Sequence, residues 1–391
     1  RRLQKLSRDA LKLARVAALA GQDFSVALAA VVLSTHPLDL AESWHELEAA
    51  QIIRADPEGR AFAHDLILET TLRSVPAPIA VVMHRGITVE LQARGAPAAR
   101  VAQHCYDAKD WLGAGNAFVE AAKDARRTSQ RAAESEHWQR AAECFDRAGS
   151  AEQAFNARFE SIDAVLLMHG VERATEVVNG LLREAKSTQQ RVDALTAHAN
   201  TRLLAAEHSA GIAAAREAYE LAQQLDSPWP RFEAARLLAV GLSQSERASE
   251  ALPLIEPFRE LIEREGPVEQ RMKFWSDYAY VLNSARRLRR TADALVRAIE
   301  TARMAGDFGE QATLTSNYAN TLGNLGRVTE ALEQGQRARA LQMQLGDTGG
   351  PAGGAIDMYI GMHSAALGRY RDALVSLDAA LDCFVRDGQI V

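Results

Sequence analysis

The stretch FAHDLILETTL, Phe62 to Leu72, holds residues whose types could do chemistry: His64 stands directly before Asp65, and Glu69 follows on. Three roles are open to such a set. A histidine beside carboxylates can move protons as a general base or acid. It can donate a charge-assisted hydrogen bond to a bound phosphate. Or it can close a strand-to-helix junction by bonding backbone, while Asp65 caps the helix that follows. Catalysis is the poorest fit, because adjacent residues diverge at a strand end and no nucleophile is placed beside them. Other apparent sites are plainer. RRLRR, Arg286 to Arg290, is the densest basic cluster. It lies at an inter-helix turn with no interleaved aromatic residues, so it reads as solvated charge rather than a nucleic-acid contact. GDTGGPAGG, Gly346 to Gly354, mimics a phosphate loop, but no lysine follows the glycines and Pro351 interrupts them, so an inter-repeat loop is expected. No two histidines stand at helical i, i+4 spacing, and Cys105, Cys144 and Cys383 form no metal-type spacing. Neither a metal nor a disulfide framework is expected, and sparse, odd cysteine usage fits a reducing cytoplasm.

The elements that must position these residues are helices. Of 391 residues, 47% are hydrophobic, 25% charged and only 6% aromatic, with a formal net charge of −6. Period-3.6 patterns dominate and alternating β-branched runs are nearly absent, so the fold class is all-α. The charge balance gives no general pull toward nucleic acid or an anionic membrane. No apolar run reaches the length needed to span a bilayer, and VALAAVVL, Val26 to Leu33, reads as a short buried helix. The opening RRLQKLSRDALKLARVAALAG is amphipathic, with Asp9, Lys12 and Arg15 punctuating its apolar face, so it is a domain helix rather than a signal peptide. The chain starts without methionine, which reads as a piece of something longer.

One exception to helix lies in the first hundred residues. QIIRADPEGRAFAHD reads as strand, turn, strand: Ile52 and Ile53, the turn Asp56 to Gly59, then Ala61 to Ala63. Three helices precede it, near Ser7–Ala20, Ser25–Leu33 and Leu38–Ala50, and two follow, near Asp65–Arg73 and Pro78–Arg94. That order is the order of a winged helix. Its third helix carries Asp39, Glu42, Glu46 and Glu48 and no lysine or arginine, so it would be repelled by phosphates, and Trp44 belongs to a core or interface.

From about Ala96 onward the helices repeat. Aligning Tyr318–Ala338 with Ile360–Ala380 sets Gly326 on Gly368, Ala331 on Ala373 and Ala338 on Ala380; one unit upstream, Tyr278 falls under Tyr318. Weaker units surround Ala251 with Ile255, Ala214 with Ala218, and Gly170. The glycines end a first helix where a positive φ is called for, and the alanines sit where the second helix crosses too closely for a larger side chain. A small residue, a turn glycine, then alanine and a hydrophobe is the grammar of tetratricopeptide (TPR) repeats, here spaced near 40 rather than 34. The expected organisation is a winged-helix-like domain over 1–95, a helical connector over 96–155, and a TPR-like α-α superhelix over 156–391. The first helix of each repeat would line a groove offering Tyr280, Asn283, Asn320, Asn324 and Met362. Asparagine amides there can pair with the backbone of an extended peptide whatever its sequence, or simply line a solvated groove.

The first hundred residues resemble the winged-helix segment that follows the ATPase core in bacterial STAND regulators (signal-transduction ATPases with numerous domains). The resemblance is carried by Leu6–Phe24, Leu47–Ile53, Phe62–Pro76 and Met83–Gly95, then by VAQHCYDAKDWLGAGNAFVEAAKDA and the repeats. It implies an ATPase core upstream of Arg1, since no G-x-x-x-x-G-K-[ST] occurs in the chain. It also implies an effector elsewhere in the parent, as in LuxR- and SARP-type transcriptional activators and some adenylate cyclases. In related nucleotide switches a Met-His-Asp triplet at this place lets the histidine touch the β-phosphate of ADP; His64 and Asp65 match, and Ala63 departs from the methionine. The resemblance thus implies a non-enzymatic, cytoplasmic regulatory fragment, with ATP or ADP held only by the longer parent. A protein or peptide is expected in the groove, with no direct nucleic-acid partner and no membrane. The rival is a free-standing TPR scaffold.

Overall fold

Two serines start the first two helices, as their sequence position suggests: Ser7 accepts from the backbone of Ala10 and Ser25 from that of Leu28, each satisfying a donor that the helix end leaves open. The computed structural model describes residues 2–54, 61–128, 130–344 and 351–386. The chain forms two compact units, Arg1–Glu184 and Ala185–Val391. The expected turn at Asp56 to Gly59 and most of Gly346 to Gly354 lie outside the described residues.

The first unit begins with α1 (Arg8–Ala20), α2 (Val26–Leu33) and α3 (Ala41–Ala49), then β1 (Ile53–Arg54) and β2 (Ala61–Phe62), then α4 (Asp65–Arg73) and α5 (Ala77–Ala93). The strands pair antiparallel with Ile53 opposite Phe62, one residue further along than Ile52 and Ile53 suggest. The expected third helix starts as a 3₁₀ turn, Pro37–Leu40, and becomes α-helical only at Ala41. Asp39 and Glu42 are exposed, whereas Glu46 and Glu48 are half-buried and bonded within the module. Glu46 accepts from both the backbone and the hydroxyl of Ser7, at 2.6 and 2.5 Å. Glu48 accepts from the indole of Trp44 at 2.9 Å, and Trp44 stacks on Phe24. The expectation that Val26–Leu33 is wholly buried is corrected: Leu28, Ala29 and Ala30 are buried, while Val26 and Val31 face outward.

The unit continues with α6 (Ala98–Asp107), α7 (Trp111–Arg127), α8 (Arg131–Ala148), α9 (Ala151–Glu160) and α10 (Ile162–Glu184). Gly170, at φ +79°, breaks α10. The fully buried Glu134 on α8 is held by Arg126 at 2.6 Å and Arg131 at 2.8 Å, and Arg126 reaches on to Glu160. A buried carboxylate is tolerable only when its charge is matched and its lone pairs are filled in this way.

The second unit is a run of helix hairpins: α11 (Thr188–Leu204) with α12 (His208–Ala222), then α13 (Pro228–Gln244) with the broken pair α14 (Ala248–Ile255) and α15 (Arg259–Glu265). There follow α16 (Val268–Ser284) with α17 (Leu288–Ala305), α18 (Phe308–Asn324) with α19 (Val328–Gln344), and α20 (Pro351–Ala366) with α21 (Tyr370–Arg386). Gly326 and Gly368 take the positive φ their place implied, +80° and +77°. Ala331 and Ala373 are buried at the crossings. The arginines of RRLRR are partly engaged, Arg290 bonding Glu256 and the hydroxyl of Tyr278. No single described helix is long and apolar enough to cross a membrane.

In the first unit, α5 is tied to α6 by a contact that sequence spacing hides. His84 Nδ1 lies 2.9 Å from His104 Nδ1, both rings buried, and His104 Nε2 lies 3.5 Å from Asp23. One ring must donate and the other accept, so the pair cannot hold a proton on all four nitrogens. Burial depresses the proton affinity of both rings, outweighing the carboxylates of Asp23 and Asp107, and Asp23 is itself shared with Arg100. Their folded-state pKa values therefore fall below the ordinary 6.5. Below that pH the unfolded chain takes protons that the folded pair refuses, so stability is full above it and declines as pH falls. Thermal melts from pH 8 to pH 5 should show the first unit losing stability in acid, and His84→Gln should flatten the slope. Equal slopes in the variant and the parent would show that the pair does not govern it.

Candidate functional site

The groove of the second unit is built by its first helices. α11 packs on α13, α13 on α16, and α18 on α20, whereas among the described residues no two second helices pack on each other as extensively. The first helices therefore form the inner face of the stack. On α18 the outward stripe is Thr313, Asn317, Asn320 and Asn324, spaced four, three and four residues apart and thus aligned on one face. On α16 it is Lys273, Asp277, Tyr280 and Asn283, and on α20 it includes Tyr359 and Met362. Tyr280, Asn283, Asn324 and Met362 are exposed and Asn320 is half-buried. All five residues expected in a groove therefore stand on first helices with side chains accessible.

A charged cluster that the sequence reading missed lies on the same helices. Arg236 of α13 bonds Glu233 at 2.9 Å and also Asp277 of α16. Ser276 of α16 donates to Glu310 of α18 at 3.0 Å, so side-chain bonds stitch three successive first helices together. The signal was available, since the 40-residue step that sets Tyr280 on Asn320 also sets Glu233 on Lys273 and on Thr313. Arg236, Glu233 and Asp277 are only 14, 20 and 23% exposed, which strengthens charge interactions relative to open solvent. One guanidinium serves two carboxylates. Burial opposes the charge of Glu233, but Arg236 and Lys273 together hold its carboxyl below the usual range. Asp277 is pushed up by burial, more than Arg236 brings it down. Three carboxylates, Glu233, Asp277 and Glu310, face two cations, Arg236 and Lys273, leaving an excess of negative charge.

His64 lies apart from this groove, in the first unit. Its ring is exposed and has no hydrogen-bond partner among the described residues. Asp65 does not cap α4, contrary to expectation: His64 itself is the N-cap, in extended backbone, and Asp65 is the first helical residue. At that position the carboxylate favours the helix through its dipole rather than by bonding the open N–H groups. Glu69 turns to Arg73 at 2.6 Å, so the three residues of the opening motif do not converge. A cleft of about 710 Å³ between α8 and α10 in the first unit is lined by Trp138, Arg158, His169 and Arg173. Its guanidinium groups are already paired, Arg158 with Asp146 and Glu184, and Arg173 with Glu176.

Against known structures, the chain matches over 99% of its length a STAND protein with a tetratricopeptide-repeat sensor from Pyrococcus horikoshii, at a TM-score of 0.53 and 13% identity; it spans 52% of that chain, about half. Over 93% of its length it matches 99% of a Rap protein complexed with competence and sporulation factor, at a TM-score of 0.51 and 11% identity. Neither a family model nor a curated protein matches the sequence. Identities this low speak to fold alone, and the fold is a TPR-like array of helix hairpins.

The carboxyl of Glu310 is pushed above its ordinary 4.5 by burial, and the carboxylates of Asp307 and Asp277 push it further, against the bond from Ser276. A raised folded-state value means that protonation favours the fold. The penalty for charge is present at neutral pH and is relieved as pH falls toward and below 4.5. Glu310→Gln keeps an acceptor for Ser276 and removes the charge. It should raise the melting temperature at pH 7 and make no difference near pH 4; a lower melting temperature at pH 7 would contradict this account.

Proposed function

We propose that the chain is a non-enzymatic regulatory segment of a STAND-type signalling ATPase: its repeat groove takes an extended peptide or protein segment and passes that event to an ATPase domain outside these residues. The observation that carries this reading is the stripe Thr313, Asn317, Asn320 and Asn324 on α18, flanked by Tyr280 on α16 and Met362 on α20. A side-chain amide offers both donor and acceptor, so a row of them can follow a peptide backbone as a neighbouring strand would. Met362 adds an adaptable apolar contact. The excess of carboxylates in the Arg236 cluster favours a peptide with a basic side chain or a free amino terminus. The likeness to a Rap protein solved with a bound factor supports a ligand-bearing groove, and the likeness to a STAND protein with a repeat sensor supports the parent class. In this reading α1 to α5 with the β1–β2 hairpin are a winged helix used for packing between domains. The α3 carboxylates that bond Ser7 and Trp44 leave it no basic surface for DNA, and the parent is a transcriptional regulator.

Two experiments test the reading. Randomised ten-residue peptides selected on the immobilised chain should bind it in solution. Asn320→Ala combined with Asn324→Ala should weaken them about 5- to 150-fold, the loss of two bonds of about 0.5–1.5 kcal/mol each. Failure to select any peptide, or selected peptides indifferent to both substitutions, would remove the groove from the proposal. The second concerns His64, whose free ring stands at the start of a helix with no side-chain cap, a setting that suits a phosphate oxygen. In the longer protein, ADP should bind about 10- to 150-fold more weakly after His64→Ala, a charge-assisted bond being worth about 1.5–3 kcal/mol. Unchanged ADP affinity would take the histidine out of the switch.

A further inference from the structure

The cleft between α8 and α10, about 710 Å³, is of the size that holds a small organic ligand. Every residue lining it belongs to the first unit. Its apolar floor comes from Trp138 and Ala142 on α8 and from Val165 and Val177 on α10. The break at Gly170 lets α10 contribute from both sides, with Val165 before it and Val177 and Gly180 after it.

Two independent observations mark this cleft as a place for a ligand. Gly180 lies inside a helix, where glycine weakens the helix relative to alanine. Neither backbone nor packing asks for it: its backbone is helical, and an added Cβ would meet nothing within 4 Å. At Gly115, Gly211 and Gly361, by contrast, the same atom would come within 2.7 Å of a neighbouring side chain. The missing side chain at Gly180 leaves the α10 wall open. Trp138 supplies the second observation. It is 3% exposed, and its indole N–H has no hydrogen-bond partner among the described residues. A buried donor left without an acceptor is costly. The ring also borders a smaller cleft, about 320 Å³, where Arg126, a donor only, lies over the indole.

Charge along the rim narrows the ligand class. Arg158 is taken by Asp146 and Glu184, and Arg173 by Glu176. Glu143 is exposed at the rim and has no ion-pair partner among the described residues. An anion would find both guanidinium groups occupied and a free carboxylate beside them, so the rim favours a cation. We infer that the cleft binds a small arylalkylamine. Its ring packs on Trp138, Val177 and the open wall at Gly180, its ammonium meets Glu143, and an oxygen on the ring accepts from the Trp138 indole. Trp138 and Glu143 stand five residues apart on α8, about 7.5 Å along its axis. That separation suits an amine and an oxygen at opposite ends of one aromatic ring.

Tyramine is the probe, followed through the indole N–H signals of the full chain carrying isotope-labelled tryptophan. Trp138→Phe identifies the relevant signal among the five tryptophans. Tyramine should move that signal saturably, with a Kd below about 1 mM, the scale expected for so small a ligand in a formed cleft. Phenethylamine, which lacks the oxygen, should bind about 3- to 10-fold more weakly, the loss of one hydrogen bond. Glu143→Gln should weaken tyramine about threefold, the scale of an exposed ion pair. Gly180→Leu should abolish the shift and leave the melting temperature unchanged or higher, leucine being the better helix former. No saturable shift up to about 10 mM tyramine, or a shift that survives Gly180→Leu, overturns the site. A lower melting temperature for that variant overturns the reading of Gly180 as open space. The matching anion, para-hydroxyphenylacetate, should not compete with tyramine; binding as tight as tyramine's overturns the charge assignment.

Discussion

The close crossing of paired helices at small residues is the constraint on which the second unit depends. A Cβ added at Gly211 of α12 would come within 2.7 Å of Leu203 and 3.2 Å of the Ala199 carbonyl on α11; one at Gly361 of α20 would come within 2.6 Å of Leu377 and 3.1 Å of the Ala373 carbonyl on α21. Ala218, Ala298, Ala338 and Ala380 are buried on the second helices. With so little side chain between backbones, the two helices of a hairpin have few alternative spacings, and protein interiors packed this tightly do not slide by small amounts. That fixed spacing brings one hairpin's first helix near the next. Arg236 on α13 can then reach Asp277 on α16, and Ser276 on α16 can reach Glu310 on α18. The polar groove is a consequence of apolar crowding behind it.

The cluster on the inner face differs in kind from the many exposed ion pairs. Arg327 with Glu330, and Arg303 with Glu300, are local i, i+3 pairs in open solvent, each contributing little. Arg236 joins Glu233 on its own helix to Asp277 on the next, largely out of solvent. Removing one partner from such a set strands the others, so it defines geometry more firmly than it adds stability. A groove whose floor is already hydrogen-bonded keeps its shape when empty. A peptide of the kind proposed would then meet donors and acceptors on α18 that do not have to be reorganised first.

The periodic features were legible in sequence. The 42-residue step from Gly326 to Gly368 located two helix ends and their backbone conformation, because a positive φ strongly favours glycine. Asp65–Arg73 was legible to the residue. The faint unit around Ala251 and Ile255 is faint for a structural reason: Pro253 and Pro257 remove donors and split its second helix into α14, a 3₁₀ turn and α15. What sequence hid was contact between distant positions. His84 and His104, twenty residues apart, read as unrelated until α5 and α6 set them 2.9 Å apart. The identity of the α4 cap was missed because Asp is the better capping residue by type, whereas the chain bends one residue earlier, at His64.

Acidity on α3 shows how one feature can argue against a function and build a fold at once. From sequence alone, Glu46 and Glu48 argue that this helix would be repelled by a phosphate backbone. In the structure Glu46 clamps the first turn of α1 through Ser7, and Glu48 orients the Trp44 ring that stacks on Phe24. Replacing these carboxylates with the basic residues a DNA-reading helix needs would remove the acceptors that hold the helix in place. The module's architecture and a nucleic-acid role at α3 are thus in conflict at the level of individual hydrogen bonds. Two of its four carboxylates are engaged in contacts within the module, while Asp39 and Glu42 stay in solvent and keep the outer face acidic.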